Sequence, residues 1–344
     1  MRNIYRRYAV PGVGGATGKN VNIVGMDSAR PPEYSLVVPV YNEEETLPEL
    51  LRRLASLLDR MDGECEVILV DDGSSDSSYE LMAATRETDA RFKLLRLSRN
   101  FGHQIAVTAG LDVASGDAVI VMDADLQDPP EVALDLAARW REGYDVVYAV
   151  REERKGESSF KRLTARVFYR VFRRMTDVDV PLDVGDFRLV DRRALDAFRS
   201  MRETNRYVRG MFSWIGFRQV GVPFSREERF AGETKYPLGK MVKFATDGIV
   251  SFSAAPLRFA LKIGFVVSGL SFLMGVVFLI SKILGLYSVP GLASIAVFVA
   301  FLGGIQLFLI GILGEYIARI HDEVKRRPLY LVRDAQGVEP PQTR

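Results

Sequence analysis

Two uncharged stretches near the C-terminus constrain this chain more than any other feature. Residues 263–281 run for 19 positions, and residues 292–314 for 23, without a charged side chain. At about 1.5 Å per helical residue they reach roughly 28 and 34 Å, enough to cross a hydrocarbon core about 30 Å thick. A buried helix pair in a soluble core is the competing assignment, but neither stretch offers a polar face to water. Lys262 and Lys282 bracket the first stretch, where their ammonium groups can snorkel. A two-helix hairpin surrounded by membrane lipids is therefore expected over residues 258–317.

The connector, residues 285–291, has no charge, whereas Arg258, Lys262, Arg319, Lys325, Arg326 and Arg327 flank the hairpin. The positive-inside tendency then puts both termini at the cytoplasmic face of the inner membrane. Gly303, Gly304, Gly311 and Gly314 permit close helix packing, within one chain or between copies in a homo-oligomer. Just before the hairpin, Lys240, Lys243, Asp247 and Ser251 recur at helical spacing with Met241, Phe244, Ile249 and Phe252 between them. That pattern fits interfacial amphipathic helices over residues 236–257.

Residues 1–32 are rich in Gly, Pro and Arg and lack an apolar run, which suits a mobile tail rather than a signal peptide or anchor. A second tail is expected over residues 318–344. The net charge of +2 gives no basis for a nucleic-acid partner. With one cysteine, Cys65, and two histidines, His103 and His321, neither a thiolate site nor a multi-His zinc centre can be built. Any metal is expected on oxygen ligands. His103 reads as a residue that caps or packs at the start of its helix, and His321 as a surface residue.

Over residues 33–235 short apolar runs alternate with amphipathic stretches. Strands are expected at 34–40, 66–70, 92–97, 117–122 and 145–149, and helices at 45–59, 77–85, 103–114 and 130–141. This rhythm implies βαβ units on a mostly parallel, Rossmann-like sheet flanked by helices, an α/β fold. Such sheets bind ligands beyond the carboxyl ends of their strands. The polar clusters fall there: Tyr41-Asn42-Glu43 after the first strand, Asp71-Asp72-Gly73-Ser74 after the second, Asp123-Ala124-Asp125 after the fourth.

Asp123-Ala124-Asp125-Leu126-Gln127 is the sharpest of these. Two carboxylates at i and i+2, with an amide two further on, form a compact set of hard oxygen donors. Magnesium and manganese are commonly held by one or two carboxylates together with substrate phosphates. A solvated acidic turn before Pro129-Pro130 is the simpler alternative, since a bare D-x-D is common. The run from Asp71 to Asp76 lacks the spacing and terminal glutamate of a calcium loop. It reads either as a helix cap and turn or as a contact to a base or ribose.

Taken together, Val38-Pro39-Val40-Tyr41-Asn42-Glu43, Asp71-Asp72-Gly73-Ser74 and Asp123-Ala124-Asp125 resemble family-2 glycosyltransferases of GT-A fold. Ser98-Arg99-Asn100-Phe101-Gly102-His103, the stretch from Asp123 to Pro130, and the stretch from Arg229 to Pro237 resemble the polyprenyl-phosphate branch. That branch holds the bactoprenol glucosyltransferases and dolichol-phosphate mannose synthases.

The resemblance implies a nucleotide-sugar donor, UDP- or GDP-linked, with UDP-glucose the first choice, and a polyprenyl phosphate acceptor such as undecaprenyl phosphate. It implies that Pro39, Tyr41, Glu43 and Asp72 line the nucleoside pocket. Asp125 and Gln127, with Asp123 beside them, would ligate Mg²⁺ or Mn²⁺ at the diphosphate. Arg229 and Lys235 would close over that diphosphate on a mobile loop, and Asp186 would orient a sugar hydroxyl. Arg151, Lys161 and Arg162, with Thr164, are the candidates for the acceptor phosphate; a basic surface for anionic headgroups explains most of these cations equally well.

A processive polysaccharide synthase of the same superfamily would need a multi-helix channel, and no Q-x-x-R-W is present. A non-catalytic scaffold fits poorly with intact Asp123, Asp125 and Gln127. A dinucleotide-binding enzyme lacks its G-x-G-x-x-G after the first strand.

Overall fold

The computed structural model describes residues 32–151, 184–225, 253, 255–284 and 292–340. The first strand, β1 (Tyr34–Val40), is buried along its whole length, as a run of Leu, Val and Pro must be when helices cover both faces of a sheet. It is followed by α1 (Leu47–Leu58), β2 (Cys65–Asp71), α2 (Ser78–Thr88), β3 (Phe92–Leu97), α3 (His103–Val113), β4 (Ala118–Val121), α4 (Val132–Arg141) and β5 (Val146–Arg151). After the residues left undescribed come β6 (Val184–Asp191), α5 (Arg192–Ser200), α6 (Val208–Trp214) and β7 (Gln219–Phe224). Two long helices, α7 (Ala255–Ile283) and α8 (Leu292–Lys325), precede a last strand, β8 (Val332–Gln336).

The sheet order is β7-β5-β6-β4-β1-β2-β3-β8. Strands β3, β2, β1 and β4 run parallel, and β5 runs parallel to β7. β6 is antiparallel to both β4 and β5, and β8 is antiparallel to β3. The expected class is thus what the chain adopts: a mostly parallel mixed sheet flanked by helices. Residues 332–336, within the segment expected as a tail, instead complete one edge of this sheet.

The chain leaves β3, crosses through α3 and re-enters at β4 on the other side of β1. That reversal makes the carboxyl ends of β1 and β4 the switch point of the sheet, where such folds open a crevice. Pro39 helps to open it. The β1–β4 pairing ends at Val37↔Val121, whereas β1 stays paired with β2 through Pro39↔Val70 and Val40↔Asp71. Proline brings no amide N–H, and here it stands beyond the last β4 pair, where the two strands part.

Two apolar layers hold the sheet. On one face α1 contributes Leu47, Leu50, Leu51, Leu54, Leu57 and Leu58, a stripe at helical spacing, against Leu36, Val38 and Leu69. On the other face α3 packs Ala106, Val107, Ala109 and Leu111 against Val37, Ile68 and Val70. Gly110 permits this approach, since a Cβ there would lie 2.2 Å from Val37 Cγ1. The close seat of α3 fixes its N-terminal residue, His103, over the switch point.

α7 and α8 are different in kind. Each contains a window long and apolar enough to cross a membrane, at mean hydropathies of 2.5 and 1.7, and neither window is buried by protein. Phe265, Phe272 and Leu307 stand 82, 76 and 72% exposed. Side chains of this size displayed along two helices call for a non-aqueous medium. Beyond the apolar part, Glu323 on α8 accepts a hydrogen bond from the Thr204 amide at 2.6 Å.

Candidate functional site

The loops after β1, β2 and β4 meet at the switch point. Asn42 and Leu126 both adopt left-handed backbone angles, with φ of 54° and 58°. For a leucine this conformation costs on the order of 1 kcal/mol or more, and it persists where packing holds the residue. Leu126 is 2% exposed and packs into the core, which anchors the turn carrying Asp123, Asp125 and Gln127. Within that turn Asp125 Oδ1 accepts the Gln127 amide at 3.1 Å.

The side of the crevice formed by the loops after β1 and β2 is built from segments that tie one another down. The Asn42 amide donates to Ser74 Oγ (3.1 Å), the Ser75 amide to Asn42 Oδ1 (2.8 Å), and the Glu43 amide to Ser78 Oγ (2.9 Å). Glu43 Oε2 accepts Thr46 Oγ1 at 3.0 Å, which sets the entry to α1. Tyr41 is 45% exposed at the mouth, an aromatic face open for stacking.

Asp72 is buried, and its two oxygens accept the amides of Phe101 (2.7 Å) and Gly102 (2.9 Å). Burial raises its carboxyl above the usual range, and these two hydrogen bonds hold the rise in check. Asp72 therefore also fastens the loop that delivers His103. Gly73, at φ 72°, is required in this turn: a Cβ would meet the Arg99 carbonyl carbon at 2.6 Å.

His103 does more than the capping or packing expected of it. Its Nε2 lies 3.0 Å from Asp186 Oδ2 and 3.5 Å from Asp123 Oδ1. Asp186, on antiparallel β6, also accepts Arg209 Nε at 2.9 Å and Gln104 Nε2 at 3.3 Å. Gln104 Oε1 in turn accepts the Val208 amide at 2.9 Å, which binds the start of α6 to α3. Behind Asp186, buried Arg188 donates to the Gly185 carbonyl at 2.9 Å.

Burial alone would make Asp186 a weaker acid, but the Arg209 charge and the His103 hydrogen bond hold it well below the usual carboxylate range. His103 is lowered by desolvation and raised by the Asp186 hydrogen bond and the charges of Asp123 and Asp186, which together bring it to about 9. Asp123 is raised to about 6 by burial, against the pull of His103.

His103, Asp123 and Asp186 place one ligand atom each within 4.8 Å of the others. This group shares Asp123 with the set expected from sequence; Asp125 and Gln127 stand outside it. It also brings a ring nitrogen to a place where only oxygen donors were expected. Among the described residues the buried Asp123 Oδ1 has no hydrogen-bond partner. A carboxylate oxygen so placed suits a divalent cation, and a mixed nitrogen and oxygen donor set is within the range of manganese.

Arg151 ends β5 beside this group, its Nη2 3.4 Å from Asp128 Oδ2. A Cβ on Gly185 would come 2.8 Å from that nitrogen, so glycine leaves the guanidinium its place. Lys161, Arg162, Thr164, Arg229 and Lys235, and the interfacial pattern at 240–252, lie outside the described residues. His103 and Arg209 are what the sequence concealed: each is polar at a helix start, and Asp186 on β6 joins them.

Comparison with known proteins finds relatives over most of the chain. The family model described as "Glycosyl transferase family 2" matches residues 35–199. The uncharacterized glycosyltransferase YkcC of Bacillus subtilis (strain 168) is 49% identical, over 89% of this chain and 95% of its own length. The prophage bactoprenol glucosyl transferase homolog of Escherichia coli (strain K12) is 40% identical, over 88% of this chain and 98% of its own. Among solved structures, mannosyltransferase PcManGT from Pyrobaculum calidifontis, in complex with GDP-Man and Mn²⁺, aligns at TM-score 0.43 and 18% identity, over 83% of this chain and 87% of that one.

Proposed function

Because this chain belongs to glycosyl transferase family 2, we propose that it moves a sugar from a nucleotide-sugar, UDP-glucose in the first instance, to undecaprenyl phosphate. The observation that carries the acceptor is the union, in one chain, of an acidic switch-point crevice with two helices whose apolar surfaces are exposed. One substrate is water-soluble and the other stays in the membrane. Relatives named as bactoprenol glucosyl transferases support the same acceptor.

A lipid monophosphate is already ionised at neutral pH, so its oxygen can attack the anomeric carbon without giving up a proton to a strong base. The bond from that carbon to the donor diphosphate breaks as the new bond forms on the opposite face, and the configuration inverts. The nucleoside diphosphate leaves with the electron pair. Catalysis then consists of alignment and charge stabilisation.

Tyr41, Glu43, Pro39 and Asp72 receive the nucleoside in this reading. Asp123, with Asp125 and Gln127 or with His103 and Asp186, would hold Mg²⁺ or Mn²⁺, which supplies positive charge to the departing diphosphate. Arg229 and Lys235 add to that charge. Asp186, kept ionised by Arg209, orients a hydroxyl of the sugar. Arg151, Lys161, Arg162 and Thr164 draw the acceptor phosphate toward the anomeric carbon, with the enzyme at the cytoplasmic leaflet.

The test is direct. Purified protein in detergent is incubated with undecaprenyl phosphate, Mn²⁺ or Mg²⁺, and radiolabelled UDP- and GDP-sugars. A lipid-linked monosaccharide is the expected product. If no donor yields one, the reading fails; a long polymer would replace it with a processive synthase.

A further inference from the structure

The last strand of the sheet reaches the nucleoside side through a row of charges. Asp71 on β2 is in register with Arg96 on β3, and Arg96 with Asp334 on β8. Residues in register on adjacent strands point to the same face, so the three side chains form an acid–base–acid line across the sheet. Arg96 Nε lies 3.1 Å from the buried Asp71 Oδ2. Its guanidinium stacks on the Tyr79 ring at 4.0 Å, and the Tyr79 hydroxyl donates to Asp334 Oδ2 at 2.5 Å. Gln336 Nε2 completes the cluster, 3.0 Å from Asp334 and 3.2 Å from the Tyr79 hydroxyl.

At its other end the line meets the loop after β2. Asp71 Oδ1 accepts the Ser74 amide at 2.8 Å, and Ser74 Oγ accepts the Asn42 amide. Asp72, next in sequence, fastens Phe101 and Gly102. An arginine paired with Asp71 and stacked on the Tyr79 ring, itself tied to Asp334, has lost much of its rotamer freedom, and the loss is already met before any ligand arrives.

We infer that Asp334, Tyr79 and Arg96 are positioning residues for donor binding: the C-terminal strand holds the loop of Asp71 to Ser74 in the shape that receives the nucleoside. The inference rests on the reading of that crevice as the nucleotide-sugar site. None of the three is placed against substrate. They act through Asp71.

The experiment measures binding of UDP and of GDP, with Mn²⁺, to the full-length protein in detergent, together with donor KM and kcat. Tyr79→Phe removes a single hydroxyl, and Asp334→Asn keeps shape while removing charge. Each is expected to raise the dissociation constant of the nucleotide that wild type binds, and the donor KM, about three- to tenfold, with kcat within about twofold. Asp334→Glu should recover most of the binding. Tyr34→Phe, which loses a hydroxyl bonded to Asp62 near the opposite end of β1, serves as the control and should leave both constants unchanged. Unchanged binding in both test variants, or equal loss in the control, overturns the inference. If wild type binds neither nucleotide, it is the reading of the crevice that fails.

Discussion

Arg209 Nε donates to Asp186 Oδ1 at 2.9 Å, joining the start of α6 to the middle of β6 across 23 residues of sequence. Asp186 is 3% exposed, so this carboxylate depends on the guanidinium and on His103 for its charge.

Removing one side of that pair should be severe. Arg209→Ala leaves a buried carboxylate uncompensated and is expected to cost about 3–5 kcal/mol of stability, seen as a lower melting temperature, along with loss of transfer. Arg209→Lys keeps the charge but not the fork, and should melt closer to wild type while turnover stays depressed. A wild-type melting curve for Arg209→Ala would refute the pairing.

Asp123 carries the argument for a cation. Asp123→Asn should weaken Mn²⁺ binding by about 10- to 100-fold, read by Mn²⁺ paramagnetic resonance in the absence of donor, with little change in melting temperature. Equal Mn²⁺ affinity in the two proteins would remove Asp123 from the metal site.

Gly110 tests the packing that seats His103. A methyl group there meets Val37 Cγ1, so Gly110→Ala should destabilise by about 1–3 kcal/mol as α3 shifts away from the sheet. Val37→Ala in the same chain makes room and should recover part of the melting temperature.

Glu66 sets an acid limit on the fold. Its buried carboxylate accepts from Ser35 Oγ (2.5 Å), the Ser115 amide (2.9 Å) and Lys93 Nζ. Burial acts to raise its pKa, but Lys93 and the serines prevail and hold it below the ordinary glutamate value. A carboxylate depressed on folding adds stability that is full above the unfolded value and disappears as pH falls through the folded one. Wild type should therefore lose melting temperature below about pH 4, and Glu66→Gln should start lower and show a shallower acid decline. Parallel declines would contradict this.

The parts of this chain that were readable in advance share one property: their information is local. The alternation that marks β1 to β5 lies within single segments. So do the carboxylates of Asp123 and Asp125 after β4, and the uncharged runs of α7 and α8. The triad of His103, Asp123 and Asp186 is not local, since His103 and Asp186 are 83 positions apart. Their meeting depends on β6 entering antiparallel between β4 and β5, a choice that no residue pattern in 184–191 dictates. Two charges, Asp186 and Arg188, set among Val184, Phe187, Leu189 and Val190 in one buried strand were the available signal. β8 escaped for another reason. Val332-Arg333-Asp334-Ala335-Gln336 is short and polar, as a protected edge strand should be, and so resembles a solvated end.

The place of β8 in the chain also governs the order of events during synthesis. A growing chain can close β1 to β7 early, yet the outer edge of β3 keeps its unpaired amides and carbonyls until residues 332–336 have left the ribosome. Both apolar helices emerge before that strand. The edge beside Arg96 is thus sealed last, after both apolar helices have been made, so a chain released before those helices would also be released with its sheet unfinished.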